Sequence, residues 1–127
     1  MTNGELLLIA HDWQSRTLLL AELQEAGYAV NAQDGLNRGL AAMASPHEPV
    51  TLIVIDLFDD PAVSPDTLKA LMRLVPEVPL VLIAGTYQAA SSVGPDSSRV
   101  VALLHRPVSV GDILEQVRRL QPPPSPT

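Results

Sequence analysis

The sequence has no cysteine, one lysine and few aromatic residues: one Trp, two Tyr and one Phe in 127 positions. Without cysteine there are no disulfides and no thiolate zinc sites, a composition compatible with the cytoplasm. Positive charge is scarce. Lys69 and seven scattered arginines stand against a net charge of −6 and a pI near 4.8. The clustered basic surface that nucleic acid requires is therefore missing. The one adjacent basic pair, Arg118-Arg119, falls where positive charge suits the end of a helix. No apolar run approaches the roughly 20 residues of a membrane crossing. Met1–Glu5 lacks the basic start of a secretory leader. Nucleic acid and membrane are thus not expected partners.

Apolar residues make up 46% of the chain, enough to build one core. Four short runs are apolar throughout: Leu6–Ala10, Leu52–Leu57, Val78–Ala84 and Val100–Leu104. Their length and Val/Ile/Leu content predict strands buried on both faces of a parallel sheet. A fifth run, Tyr28–Ala32, is more polar, as an edge strand would be. Helix-period segments alternate with the strands. The first begins at Asp12 as N-cap, with Leu19, Leu20, Leu23 and Ala26 on one stripe and Gly27 as its stop. A second spans about 34–44, with Leu36, Leu40 and Met43 on one face. A third starts from Ser64 with Pro65 at its first position and ends at Pro76. The last starts from Ser109 and carries Val110, Ile113, Leu114, Val117 and Leu120. This alternation predicts a doubly wound α/β domain over residues 1–120. Residues 121–127, nearly all Pro, Ser and Thr, read as a linker or loose end. The rhythm breaks at Thr86–Arg99, where Gly94-Pro95 limits any helix to a short or irregular one near Tyr87–Val93.

Several stretches occur together in one order: Leu6-Leu7-Leu8-Ile9; Ala26-Gly27-Tyr28-Ala29-Val30 with Asp34-Gly35; Thr51–Leu57 ending in Asp56-Leu57; Val78–Ile83; and Arg106-Pro107. In this the chain resembles the receiver domain of bacterial two-component response regulators. The resemblance implies a flavodoxin-like, five-stranded parallel sheet of order 2-1-3-4-5, with the site at the C-terminal strand ends. It also implies an aspartate that accepts a phosphoryl group with Mg²⁺ neutralising the transferred charge.

Asp56 matches the acceptor position, and Phe58 falls where the family supplies a backbone carbonyl to the metal. The acid pair of the family corresponds to Ala10-His11. Ala10 has no side-chain donor, and the nitrogen of His11 suits a transition metal better than Mg²⁺. Asp12 follows one position later and, with Asp56, is the remaining candidate ligand. Asp59-Asp60-Pro61 suggests a one-residue insertion; these acids either cap a turn or replace a metal ligand. The switch hydroxyl corresponds to Ala84, with Thr86 two residues on, and the aromatic relay corresponds to Leu103. Arg106 replaces the family's lysine with a planar fork, which is not an equivalent change. At adjacent strand ends, Arg106 is expected to pair with Asp56 and stand in for the missing cation.

His11 with Asp12 and Asp56 is a weak transition-metal set. His105 should point away from Arg106 by strand alternation, and His47 belongs to an exposed turn. No nucleophile elbow and no Gly-rich phosphate loop follow the first strand. Ser15 and Thr17 lie within the expected helix and not in a flavin-phosphate loop. The expectation is therefore a non-enzymatic pseudo-receiver that acts through protein contacts. Its partner would be a histidine kinase, an output domain or a second copy, and it would need no cofactor. The alternative is a phospho-accepting receiver that uses Asp56 and Mg²⁺ with a rearranged metal site.

Overall fold

A computed structural model of the chain describes residues 4–85 and 98–123. Five parallel strands form one sheet in the order β2-β1-β3-β4-β5. They are β1 (Glu5–Ala10), β2 (Val30–Gln33), β3 (Val50–Asp56), β4 (Leu80–Ala84) and β5 (Val100–His105). The helices of the described residues are α1 (Trp13–Glu25), α2 (Leu36–Met43), α3 (Pro65–Leu74) and α4 (Val110–Leu120). The expected fold and strand order are both present. The helix expected between β4 and β5, with Thr86 and Gly94-Pro95, lies outside the described residues. None of the described helices is long and apolar enough to cross a membrane.

The continuous apolar runs make sense once both sheet faces are covered. Leu7, Ile9, Ile53, Ile55 and Leu82 pack with Leu36 and Met43 of α2 and Leu68, Leu71 and Met72 of α3. The alternate residues Leu6, Leu8, Leu52, Val54, Val81 and Ile83 pack with Leu19 and Leu23 of α1 and Ile113 and Val117 of α4. α2 comes close to the sheet because Gly39 has no side chain. A Cβ there would lie 2.5 Å from Cδ1 of Ile9.

Local signals set most boundaries. Asp12 caps α1 by accepting the Ser15 amide, 3.0 Å away, and Gly27, with φ 102°, follows its end. Ser64 and Thr67 form a reciprocal capping box on α3 with Pro65 at its first position. Ser109 caps α4 through the Asp112 amide.

Four expectations need correction. β2 starts at Val30, not Tyr28, because Tyr28 turns into the core and donates its hydroxyl to the Gln121 carbonyl. α2 begins at Leu36, since Gly35 is its N-cap with φ 117° and no capping side chain. β5 is a sheet edge and is not buried on both faces: Val101 is 46% exposed. The tail is not loose from its start, because Gln121 also accepts a hydrogen bond from Thr51 through its side chain at 2.6 Å. Residues 124–127 lie outside the description.

Candidate functional site

The sheet order reverses between β1 and β3, the point at which doubly wound folds place their sites. There the two strands end side by side, with Ala10 and Asp56 as register partners. Asp56 is the buried charged residue of the described core, only 1% exposed. A carboxylate removed from water must be paired or hydrogen-bonded, and both oxygens are engaged. Oδ1 accepts the Phe58 amide at 3.0 Å, and Oδ2 accepts Nη2 of Arg106 in an ion pair.

Arg106 follows β5 directly, and its amide donates to the Ala84 carbonyl at 2.9 Å, which extends the strand pairing to this position. Its side chain reaches across the sheet end to Asp56 and is 28% exposed. The guanidinium also lies over the Phe58 ring, 4.5 Å from the centroid. Such a cation–π contact contributes about 0.5–2 kcal/mol. Nη2 also lies 3.3 Å from the Ser15 hydroxyl, whereas Nε is buried without a hydrogen-bond partner. Arg106 is thus held by one strong contact and a ring face, not by a full fork.

Asp12 lines the same cavity as Asp56 and Arg106. The Ser15 amide bond, chiefly, holds its carboxyl below the ordinary value of 3.8, with smaller help from the charges of Arg106 and Arg16. Asp12 is therefore both a helix cap and a fixed negative charge beside the pair.

The remaining positions separate. His11 is exposed and lies with Asp59, Asp60 and Pro61 in a different surface depression. Ala84 packs in the α2–α3 layer, not against the Asp56 cavity. These two were expected to line the site and do not: the strand turns away after Ala10, and alternation sends the Ala84 methyl to the other face. Asp60 takes the capping option, not the ligand option. Its Oδ2 accepts the Leu36 amide at 2.8 Å, which supplies the cap that Gly35 cannot, and its Oδ1 accepts the Ala62 amide at 2.9 Å. Asp59 adopts φ 57° in that loop and is exposed. His47 is exposed as expected, and His105 at the end of β5 is exposed as well.

Arg16 was not anticipated. Its Nη1 donates to the carbonyls of Ala10 and His11, at 2.8 and 3.2 Å, and so fixes the turn between β1 and α1. A signal for it existed in the sequence: a basic residue near the start of a helix opposes the helix dipole and needs another reason to be there.

Mg²⁺ takes a near-octahedral shell of oxygens. Here Ala10 offers no side-chain donor, Asp56 is engaged at both oxygens, and Arg106 places a cation on the carboxylate. Among the described residues no group of three or more His, Cys, Asp or Glu is placed to hold a metal. This donor set does not fit Mg²⁺ as it is arranged.

No protein-family model matches the sequence, and no curated protein matches it. Solved structures match the fold. A CheY-like response regulator receiver domain from Methanospirillum hungatei JF-1 superposes with a TM-score of 0.77 at 20% identity, covering 93% of each chain. A structure described as adenylate cyclase from Rhodopirellula baltica gives 0.78 at 16% identity, covering 93% of this chain and 87% of that one. NtrX from Brucella abortus, in complex with ATP, gives 0.72 at 17% identity, covering 94% of this chain but 27% of that one. At these identities the likeness establishes the fold: this is the receiver fold.

Proposed function

We propose that this domain is an atypical response-regulator receiver that serves as a signalling and protein-interaction module without Mg²⁺-dependent phosphorylation of Asp56. The observation that carries this reading is the Arg106 guanidinium on Oδ2 of Asp56, with the Phe58 amide on Oδ1. A phosphoryl acceptor needs a free carboxylate oxygen aimed at phosphorus and a metal to take up the gathering charge. In this site the internal cation already occupies the carboxylate, so the pair is a resting structure and not a poised nucleophile.

A module of this kind works through contacts with a histidine kinase, an output domain or a second copy in the cytoplasm, and carries no enzymatic activity of its own. Two observations support contacts near the site end. Trp13 and Leu18 of α1 are 63% and 51% exposed, and the match to a quarter of NtrX shows the fold as one part of a longer chain.

One observation favours the second reading, a phospho-accepting receiver with a rearranged metal site: Asp12 and Asp56 line one cavity. Trp13, the single tryptophan, directly follows Asp12 in the chain and supplies a fluorescence signal next to a candidate ligand. Titration with Mg²⁺, followed by Trp13 fluorescence, decides between the two. The proposed function predicts no saturable change at millimolar Mg²⁺. A saturable change that is lost in Asp12→Asn and in Asp56→Asn supports the second reading instead.

A further inference from the structure

Gln121 ties three elements together at one end of the sheet. Its amide donates to the Val117 carbonyl at 2.8 Å and continues α4. Its carbonyl accepts the hydroxyl of Tyr28, in the turn between α1 and β2. Its side-chain oxygen accepts the hydroxyl of Thr51, the second residue of β3, at 2.6 Å. The Glu5 carbonyl lies 3.4 Å from the same Thr51 oxygen. A hydroxyl has one proton to give, so the nearer Gln121 receives it. Past Gln121 the chain stays close to the turn: a Cβ at Gly27 would lie 3.9 Å from Cβ of Pro123. Residues 121–123 thus form a strap from α4 to the turn before β2. Thr51 and Asp56 lie at opposite ends of β3, roughly 17 Å apart, so the strap is remote from the Asp56–Arg106 pair.

Little else holds this segment. α4 buries Ile113 and Val117, but Arg118, Arg119 and Leu120 are all exposed, and among the described residues no side chain after Val117 is buried. Three prolines follow Gln121 and have no amide to donate. The last turn of α4 and the strap therefore rest on the two hydroxyls. The anchors themselves belong to the rigid part of the domain. Tyr28 is buried in the layer formed with α1 and α4, and Thr51 is on the central strand of the sheet. Segments with few buried apolar contacts open at a lower free energy than the whole fold. Opening this one leaves both anchors in place.

We propose that Gln121 is a latch: residues 118–123 close onto Tyr28 and Thr51 and open from them as one unit while the domain stays folded. Closed, the latch fixes the end of α4 to β3 and sets the path of the chain to Pro123. Open, it frees the last turn of α4 and uncovers the two hydroxyls. The first turn of α4 carries Val110 and Ile113 beside the Asp56–Arg106 pair, so one helix meets the site at its start and the latch at its end. The device does not depend on phosphorylation of Asp56, so the proposal stands apart from the functional reading above.

The test is amide hydrogen exchange of the ¹⁵N-labelled full chain, measured in a series of urea concentrations below the unfolding transition. The Ile53 amide, which donates to the Pro79 carbonyl at 3.0 Å inside the sheet, is the reference for global opening. The amides of Arg119, Leu120 and Gln121 are expected to share one protection factor, lower than that of Ile53, and to exchange at a rate that does not change with urea. Tyr28→Phe keeps the packed ring and Thr51→Val keeps the branched side chain, and each removes one hydroxyl. Either change should speed the three amides by about fivefold, still without urea dependence. The proposal is overturned by any of three results: protection that falls step by step from Arg119 to Gln121, as in simple fraying; exchange that follows Ile53 in rate and urea dependence; or either variant exchanging at these amides as the wild type does.

Discussion

Arg106 donates Nη2 to the buried carboxylate of Asp56 while its guanidinium lies over the ring of Phe58. One residue thus neutralises the acid that the fold places at its switch point and also fixes the loop that follows. Asp56 lies at the end of β3 and Arg106 just past the end of β5. The contact spans the width of one intervening strand, which a long side chain can cross.

Removing the cation alone should cost more than removing both charges. Arg106→Ala leaves a buried carboxylate without its partner and should lower stability by about 3 kcal/mol. Asp56→Asn keeps an acceptor for the Phe58 amide, and the partly exposed Arg106 can turn toward water. That change should cost about 1 kcal/mol. The double variant should be more stable than Arg106→Ala. Urea unfolding of all four proteins measures the cycle; a double variant no more stable than Arg106→Ala would contradict it.

The Asp12 carboxyl is held below 3.8, mainly by the Ser15 amide. A carboxyl whose value is depressed on folding adds stability above its unfolded value and loses it as pH falls through the folded one. The melting-temperature advantage of wild type over Asp12→Asn should therefore be steady from neutral pH to about pH 5 and shrink below that. An advantage that grows on acidification would show that the sign is wrong.

At Gly39 a methyl would meet Ile9 Cδ1 at 2.5 Å and Cγ1 at 3.0 Å. Overpacking a core costs about 1–3 kcal/mol, and the helix preference of alanine returns up to about 1 kcal/mol. Gly39→Ala should thus be destabilising by about 1 kcal/mol. Adding Ile9→Val removes the clashing methyl, so the second change should cost less in the Gly39→Ala background than in wild type. Equal costs in the two backgrounds would mean that the sites do not interact.

Arg99 closes the far end of the sheet. Its guanidinium donates to the carbonyls of Met72, Val75 and Val78, at the end of α3 and in the loop to β4. A lysine cannot span three acceptors with one ammonium. Arg99→Lys should lower stability by about 1–3 kcal/mol, read by thermal unfolding. A variant as stable as the wild type would show that these contacts exchange freely with water.

The legible parts of the sequence were those fixed by local chemistry. Apolar strand runs, the Asp12, Ser64 and Ser109 caps and the stop at Gly27 each follow from neighbouring residues, and each is where it was expected. The Asp56–Arg106 contact was legible because strand order puts the two ends close together. Contacts set by tertiary geometry were less accessible. Asp60 caps a helix 24 positions away in sequence, and Gln121 receives Tyr28 across 93 positions. His11 and Ala84 were placed at the site by alignment of position alone. The turn after β1 and the alternation of β4 send them elsewhere. Arg16 is marked in the sequence only by its unfavourable place near a helix start; its partners are backbone carbonyls, which residue identity does not reveal.

The central claim is that Arg106 occupies the carboxylate that a phosphoryl group would need. Incubation with acetyl phosphate and Mg²⁺, read by intact mass, tests it most directly, with Asp56→Asn as the control. The account predicts that wild type and control stay alike, with no stoichiometric phosphoryl adduct on either. A stoichiometric adduct on the wild type that disappears in Asp56→Asn would contradict it.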